Sequence, residues 1–281
     1  MAIPMFVRRL SLCRAVSRVV SRRRMDFSAG ILTVMRRAAS AASVDNPLFV
    51  ICETRTGSTL LCDYLDSHPM VCSEFEILNQ GEIPDLRFAR SPGDIHFYLD
   101  ALWKAMPAHY KCGKIHFAHF ADFGIGPGDL IQWFPRARFL LLYRVSLLDQ
   151  YVSLKLAQVT GRWIATSPVD ETRRSIYIDL DALSEFAETT SRRYSELVHH
   201  PALRGRHAII SYESLVADAP GVFGRTIWPF LGIPPVKVVT RLHKQNRFPL
   251  EACVSNLKEV RSAVHCGHLL ASLESFDPEH A

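Results

Sequence analysis

Residues 48–69 constrain the fold of this chain most strongly, because an apolar run, a tight turn and a helical pattern follow one another there. The run at residues 48–52 is unbroken and predicts a buried strand. Leu61 and Leu65 then lie on one face at helical spacing, and Pro69 ends the helix because the residue before a proline disfavours helical geometry. The stretch therefore predicts a strand, a tight turn and a helix.

The turn between this strand and helix has the chemistry of an anion-binding site. The first N–H groups of the predicted helix point into the turn, where the helix macrodipole is positive. Gly57 lets the backbone approach a ligand, Arg55 supplies a charged fork, and Ser58 and Thr59 add hydroxyl donors. The spacing differs from the G-x-x-x-x-G-K-[ST] of nucleotide triphosphate loops. An ordinary strand–helix turn with a solvated arginine is the alternative interpretation.

The composition is that of a globular domain with an unusual beginning. The 281 residues are 48% hydrophobic and 22% charged, which fits one sizeable α/β domain or at most two small ones. The net charge of +5 comes mainly from arginines in residues 1–45, which hold only Asp26 and Asp45 as acids. The rest is nearly neutral, so the sequence predicts no nucleic-acid surface on the folded domain.

Residues 1–45 are expected to be separate from the folded domain. Their Arg, Ser, Ala and Val content is typical of an amphipathic targeting segment or a membrane-surface arm, and a disordered tail is the alternative. Asn46 and Pro47 give a loop signal, so we place an α/β domain at residues 46–281. The arm therefore makes membrane-surface contact one expectation for this chain.

The cysteines favour a reducing compartment. The sequence has 7 cysteines and no C-x-x-C pair, and most lie in apolar runs where a free cysteine behaves as a small hydrophobe. No run of 18 apolar residues occurs, so no transmembrane helix is expected. We expect a cytoplasmic location, with organelle targeting or membrane-surface association through the basic arm as alternatives.

Strand and helix patterns alternate along the rest of the chain. Further strands are predicted at residues 70–73, 110–117, 138–144 and 207–212. Helices are predicted at 94–106, 129–133, 146–160, 179–199, 219–231 and near 255–263. This alternation predicts an α/β fold with a central parallel β-sheet flanked by helices, which binds ligands at the carboxyl ends of its strands.

A second anion site is predicted after the strand at residues 138–144. Arg144 ends that strand, and Ser153 lies nine residues on, about two turns into the next helix. An arginine and a hydroxyl in these places can bind one more phosphate, the arginine in a bidentate manner. A capping arginine with a solvent-facing serine is the alternative interpretation.

The two motifs together resemble those of sulfotransferases that use 3'-phosphoadenosine 5'-phosphosulfate (PAPS). Their loop after the first strand reads R-[ST]-G-[ST]-[ST], which residues 55–59 match at every place, and a strand-end arginine with a serine eight or nine residues later holds the 3'-phosphate. Bacterial carbohydrate enzymes of trehalose 2-sulfotransferase type show R-x(5)-Q-x-x-S-x-x-x-A with a tryptophan shortly after. The corresponding residues here are Arg144, Gln150, Ser153, Ala157 and Trp163.

The resemblance covers about residues 47–265 and implies a P-loop-like sulfotransferase fold with assigned roles. Residues 76–79 also resemble the Glu-Leu-Leu-Asn of nodulation-factor sulfotransferases, and Lys244, Gln245 and residues 254–256 resemble their adenine-side loop only weakly. The implied cofactor-binding residues are Arg55, Thr56, Gly57, Ser58 and Thr59 for the phosphosulfate, and Arg144 and Ser153 for the 3'-phosphate.

Glu76 lies where the resemblance implies the catalytic base, with Arg55 as the second catalytic group. Glu74 is the reserve candidate, and either glutamate could instead be solvated or paired with an arginine. His68 and His116 are weaker candidates with a structural role as the alternative. His116 and His119 lie on a strand-like stretch that would place them on opposite faces, so no metal site is expected.

The predicted activity is sulfuryl transfer from PAPS to a hydroxyl of a carbohydrate or glycolipid, without a metal ion. Loop donors can carry the charge of the leaving phosphate, whereas phosphoryl transfer from ATP normally needs Mg²⁺. A P-loop-like small-molecule kinase is one alternative, but its strand-end aspartate is replaced by Arg144. A non-catalytic scaffold is the other. The acceptor and the oligomeric state are left open by the sequence.

One departure from the resemblance concerns charge. Glu53 places an anion next to the loop that is expected to bind an anionic ligand. We therefore expect its carboxylate to point away from the ligand or to pair with a cation.

Overall fold

A computed structural model describes residues 46–106, 108–164, 175–242, 248–265 and 277–279 of the chain. The predicted basic arm at residues 1–45 lies outside these ranges, as do Lys244 and Gln245 of the weakly matched adenine-side loop.

The architecture is a five-stranded sheet in the order β2-β3-β1-β4-β5. The strands are β1 (Asn46–Cys52), β2 (Val71–Glu76), β3 (Tyr110–His116), β4 (Arg138–Tyr143) and β5 (His207–Ser211). Every pairing is parallel, with β1 at the centre between β3 and β4. The predicted α/β class with a central parallel sheet is confirmed, and all five carboxyl ends meet at one edge.

Helices occupy the connections between the strands. The longer ones are α1 (Ser58–Leu65), α2 (Pro92–Ala105), α5 (Leu147–Thr160) and α6 (Leu180–Val198). The shorter ones are α3 (Phe117–Phe123), α4 (Pro127–Trp133), α7 (Tyr212–Ala217), α8 (Ala219–Val222), α9 (Trp228–Leu231), α10 (Leu250–Cys253) and α11 (Leu257–His265). A π-helical turn at Phe223–Ile227 joins α8 to α9, and short 3₁₀ turns lie at Pro84–Phe88 and Pro201–Leu203.

Apolar side chains cover both faces of the sheet, as the unbroken apolar strands predict. Successive side chains of β1 alternate between the faces, so that Phe49 and Ile51 enter one core and Leu48 and Val50 the other. Phe49 stacks on Phe139 of β4 with ring centroids 5.5 Å apart. Packing on both sides fixes the register of β1 and thereby the position of the turn that follows it.

Three local predictions were wrong. β2 does not end near residue 73 but runs through Glu76, with a bulge between Glu74 and Glu76. Phe117 and Tyr212, predicted as the last residues of two strands, are instead the first residues of the helices Phe117–Phe123 and Tyr212–Ala217. Both helices begin directly at the end of a strand, and a side chain at that junction accepts a backbone N–H. Ser211 Oγ does so for α7, accepting from Ser214 N at 3.1 Å.

Within the ranges that the structure describes, none of the helices has the length and apolar character that crossing a membrane requires.

Candidate active site

The loop between β1 and α1 has backbone geometry that favours glycine at one position. Gly57 has φ of 80° at the N-terminus of α1. A Cβ atom there would lie only 2.4 Å from Cδ2 of Tyr212, so the Tyr212 ring packs directly against the loop backbone. Arg55 has a φ of 63°. Among the residues that the structure describes, it is the single non-glycine residue with a positive φ. The loop therefore has a strained, closely packed backbone, which is common at ligand-binding turns.

Three hydroxyl side chains of the loop have different surroundings. Thr56 is fully buried, and its hydroxyl donates to the carbonyl of Glu53 at 2.9 Å, which braces the turn from inside. Ser58 is buried at the first position of α1. Thr59 is half-buried, and its Oγ1 accepts from Nζ of Lys114 at 3.2 Å. Thr56 thus supports the loop, while Ser58 and Thr59 lie at the helix end that can bind an anion.

Arg144 lies at the end of β4, next to this loop. Its guanidinium is 4.8 Å from the centre of the Tyr212 ring, and Nη1 is 3.5 Å from the carbonyl oxygen of Arg55. The carboxylates of Glu213 and Asp149 stand at 3.6 and 4.0 Å. Nε of Arg144 is buried and lies 3.6 Å from Oε1 of Glu213, too far for a hydrogen bond, and it makes no hydrogen bond to any part of the chain that the structure describes. A buried charged donor in this condition fits a site for a phosphate oxygen.

Ser153 of α5 connects the two predicted anion sites. Nε of Arg55 donates to Oγ of Ser153 at 3.1 Å, and its Nη1 donates to the carbonyl oxygen of Trp163 at 2.8 Å. Burial, followed by the positive charge of Arg144, lowers the pKa of Arg55 from its usual value. The two guanidiniums that the sequence places 89 residues apart therefore lie close together at the shared end of β1 and β4.

Glu76 is the centre of a third polar cluster, at the ends of β2 and β3. Its Oε1 accepts from Lys114 Nζ at 2.9 Å and lies 3.2 Å from His116 Nε2. Its Oε2 accepts from Asn79 Nδ2 at 2.6 Å. The side chain of Glu76 is 24% exposed, against 3% for Lys114 and 7% for His116. The carboxylate is therefore the part of the cluster that a ligand can reach.

The cluster sets the protonation states of its members. Burial alone would raise the pKa of Glu76, but the hydrogen bond from His116 and the charge of Lys114 outweigh it and hold that pKa well below its usual range. Burial alone would lower the pKa of His116. The Cys52 sulfur, 3.6 Å from Nδ1, and the Glu76 carboxylate outweigh burial and raise this pKa to about 10. At neutral pH the cluster thus holds a carboxylate and an imidazolium next to Lys114.

The other candidate bases occupy less accessible positions. Glu74 is buried, with 6% exposure. His68 contacts the carbonyl oxygen of Pro234 at 2.9 Å and packs on Trp228, away from the strand ends that carry Glu76 and Arg144. Glu76 is therefore more accessible than either of these two side chains.

The prediction that His116 and His119 point to opposite faces was wrong. His119 lies in α3 and not on a strand, so its Nδ1 accepts from the backbone N–H of His116 at 3.3 Å and the two rings are 5.4 Å apart. Burial and the positive charge of His116 lower the pKa of His119 to about 4. In the described parts of the chain, no group of three or more His, Cys, Asp or Glu residues is arranged to hold a metal ion.

Lys114 and Arg193 are site residues that the sequence reasoning did not single out. Lys114 lies between Thr59 and Glu76 and so joins the loop to the third cluster. A lysine inside a strand whose other residues are buried was the signal for it. Arg193 of α6 pairs with Glu53 at 3.0 Å, which confirms that the carboxylate next to the loop pairs with a cation. No sequence pattern links residues so distant along the chain.

A parallel sheet with an R-T-G-S-T loop after its first strand, and an arginine and a serine after the neighbouring strand, is the arrangement that the resemblance to sulfotransferases implies. Sequence relatives agree. Nodulation protein H of Rhizobium meliloti is 26% identical over 227 residues, which is 76% of this chain and 90% of that protein. The protein of the same name from strain 1021 is 25% identical over 228 residues, with the same coverage. No protein-family model matches the chain.

Solved structures of sulfotransferases superpose only partly on this chain. A sulfotransferase from Alicyclobacillus acidocaldarius is 18% identical with a TM-score of 0.45, covering 82% of this chain and 94% of its own. A mouse sulfotransferase complexed with PAP is 14% identical with a TM-score of 0.43, covering 73% and 65%. These scores are below 0.5, so the family assignment depends on the sequence relatives. The similarity to nodulation protein H, at 26% and 25% identity, supports a sulfotransferase enzyme for this chain.

Proposed function

We propose that this sulfotransferase moves the sulfuryl group of PAPS to a hydroxyl of a carbohydrate or glycolipid acceptor. The observation that carries the proposal is the convergence of Arg55, Arg144 and Ser153 at the shared carboxyl end of β1 and β4, because a carrier with phosphate groups at both ends needs two such anion sites side by side. The resemblance of the two motifs to those of PAPS enzymes supports the same ligand.

Each anion site would bind one end of the carrier. In the proposal, backbone N–H groups at residues 57–59, the hydroxyls of Ser58 and Thr59 and the guanidinium of Arg55 hold the phosphosulfate. Arg144 and Ser153 hold the 3'-phosphate, and Nε of Arg144 gains the hydrogen bond that it lacks within the described residues. Because Arg55 Nε donates to Ser153 in this structure, ligand binding would exchange that contact for contacts to the two phosphates.

Glu76 is proposed as the base that accepts the proton of the acceptor hydroxyl. The acceptor oxygen then bonds to sulfur, while the bond from sulfur to the 5'-phosphate oxygen breaks and the electron pair stays on that oxygen. Lys114 contacts both Glu76 and Thr59, so its ammonium group can stabilise the charge that develops between them. The low pKa of Glu76 keeps its carboxylate ionised at neutral pH, and it also makes that carboxylate a weak base as long as Lys114 and His116 contact it.

The acceptor class has support from one exposed aromatic side chain. Trp163 is 49% exposed, and its own carbonyl oxygen accepts from Arg55, so the ring lies beside the proposed phosphosulfate site. An indole face next to the reacting group suits a sugar ring, and this tryptophan also belongs to the motif that resembles carbohydrate enzymes.

We propose a cytoplasmic reaction, in which cysteines such as Cys62 and Cys112 stay free thiols.

Two incubations of the purified full chain test the proposal. In the first, PAPS labelled with ³⁵S is offered with a panel of sugar and glycolipid acceptors, and we expect label in at least one product without added metal. In the second, ATP labelled at the γ-phosphate and Mg²⁺ replace PAPS, and we expect no labelled product. Phosphoryl transfer without sulfuryl transfer would make the chain a kinase, and binding of neither nucleotide would favour the scaffold.

A further inference from the structure

We propose that Arg193 is a positioning residue for the phosphosulfate loop, and that it acts through Glu53. The inference rests on the proposed function, since it concerns how the loop stays able to bind the anionic end of PAPS. It starts from an apparent conflict of charge, because a carboxylate stands two residues before Arg55 in a loop that is proposed to bind an anion.

Glu53 organises the loop from the side of the core. Its Oε1 accepts from the backbone N–H of Thr54 at 2.8 Å, and its carbonyl oxygen accepts from the hydroxyl of Thr56 at 2.9 Å. Its own backbone N–H donates to the hydroxyl of Tyr194 at 3.0 Å, and that hydroxyl donates in turn to the carbonyl oxygen of Leu142 on β4. The orientation of the first half of the loop therefore depends on where the Glu53 side chain lies.

Arg193 fixes that side chain and balances its charge. Nη1 of Arg193 donates to Oε2 of Glu53 at 3.0 Å, and its guanidinium lies 6.0 Å from the centre of the Phe117 ring. The neighbouring residue, Tyr194, is fully buried. It anchors this part of α6 in the core and so fixes the position of Arg193 relative to the loop. With the pair intact, Glu53 is held on the α6 side by a cation and does not oppose the binding of an anion.

The two side chains of the Arg193–Glu53 pair differ in burial. The Arg193 side chain is 37% exposed, whereas that of Glu53 is 9% exposed. Removal of Arg193 leaves the buried Glu53 carboxylate without its cation, so the melting temperature should fall, and thermal unfolding must show that the variant is still folded at the temperature of the binding assay. The same carboxylate stands beside the ligand without its cation, so anion affinity should fall as well.

Four full-length proteins form a double-mutant cycle that tests the inference: wild type, Arg193→Gln, Glu53→Gln and the double variant. Arg193→Lys is measured beside them. Calorimetry measures their affinity for 3'-phosphoadenosine 5'-phosphate (PAP), and thermal unfolding checks folding. We expect Arg193→Gln to bind PAP about tenfold more weakly, or ~1.4 kcal/mol. Glu53→Gln should change affinity less than about threefold (~0.7 kcal/mol), because it removes a repulsive charge and a brace together. Arg193→Lys should keep most of the wild-type affinity.

The double variant decides the result. Without the carboxylate there is no charge for Arg193 to balance, so affinity should return to within about threefold of wild type, a difference of ~0.7 kcal/mol. A double variant as weak as Arg193→Gln would show that Arg193 acts independently of Glu53 and would overturn the inference. So would unchanged affinity in Arg193→Gln.

Arg225→Gln is the matched control, because Arg225 forms an exposed pair with Asp218 at 2.9 Å outside the proposed site. It should leave PAP affinity unchanged, and an equal loss there would mean that net charge alone explains the effect and that the inference is wrong. If wild type itself binds no PAP, the proposed function fails together with the inference. If wild type binds and the four affinities are alike, only the inference fails.

Discussion

The two charged clusters at the carboxyl edge of the sheet are built differently. At the ends of β2 and β3, Glu76 contacts Lys114 and His116 at 2.9 and 3.2 Å, and both partners are almost fully buried. At the ends of β4 and β5, Arg144 stands 3.6 Å from Glu213 and 4.0 Å from Asp149. The first cluster is a closed network of hydrogen bonds, while the second is an arginine with loosely placed counterions.

This difference fits two different tasks. A closed network keeps a carboxylate in one orientation, which positions it towards an acceptor hydroxyl. A loosely paired guanidinium can exchange its carboxylate neighbours for a phosphate at little cost, as a binding site requires. The R-T-G-S-T loop after the central strand β1 lies between the two, and Lys114 and Arg144 contact it from opposite sides.

The substitution Glu76→Gln should separate the two clusters most clearly. It removes the proposed base but keeps the volume, so turnover should fall about 10²–10⁴-fold, while PAP affinity stays close to wild type. Steady-state kinetics and calorimetry on the same protein measure both quantities. Glu74→Gln is the matched control, and a larger loss of turnover in that variant would transfer the role of base to Glu74.

The substitution Arg144→Gln should show the opposite pattern. Loss of a hydrogen bond to a charged group costs about 1.5–3 kcal/mol, so PAP affinity should fall roughly 10–150-fold. Arg138→Gln is the control, because Arg138 lies at the other end of β4, with its guanidinium 5.2 Å from the Phe230 ring. Equal losses in the two variants would indicate a general charge effect, and the difference between the clusters would then have no meaning for binding.

The stability of the first cluster should depend on pH in a direction set by His116. Its pKa is raised from 6.5 to about 10, so the stabilisation is fully present below about pH 6.5 and is lost as the pH rises through about 10. The melting temperature of wild type relative to His116→Asn should therefore decline over this interval. Arg144→Gln relative to wild type should show no such trend. A constant difference for His116→Asn would mean that His116 is neutral in the fold.

The smallest effect is expected for Ser153→Ala. A hydroxyl contributes about 0.5–1.5 kcal/mol through a neutral hydrogen bond, so PAP affinity should fall only a few-fold. Because Ser153 also accepts from Arg55, the variant should weaken binding of PAP and of adenosine 5'-phosphate by different factors. Calorimetry with both ligands measures the difference. A loss as large as that of Arg144→Gln would show that the second cluster depends on its hydroxyl as much as on its charge.

Local sequence patterns predicted the strands, because β1 is apolar at residues 48–52 and β4 at residues 139–142, and both are covered on both faces. They also indicated Gly57, whose positive φ and contact with Tyr212 leave no room for a side chain. The partners of the Glu76 carboxylate could not be predicted, since Lys114 and His116 reach it only through the pairing of β2 with β3.

The position of His119 shows a second limit of sequence reasoning. Its prediction failed because the chain turns from strand to helix at Phe117, and aromatic residues there fit either structure. Whether such a residue lies in a strand or in a helix depends on strand pairing and helix capping by residues elsewhere in the fold. A local sequence pattern does not contain that information.

Comparison of PAP with adenosine 5'-phosphate by calorimetry tests the central claim most directly, because the two ligands differ only in the 3'-phosphate. We predict that wild type binds PAP at least about tenfold more tightly, a difference of ~1.4 kcal/mol, and that Arg144→Gln removes this preference while Glu76→Gln keeps it. Equal affinity of wild type for the two ligands would contradict the account of paired anion sites.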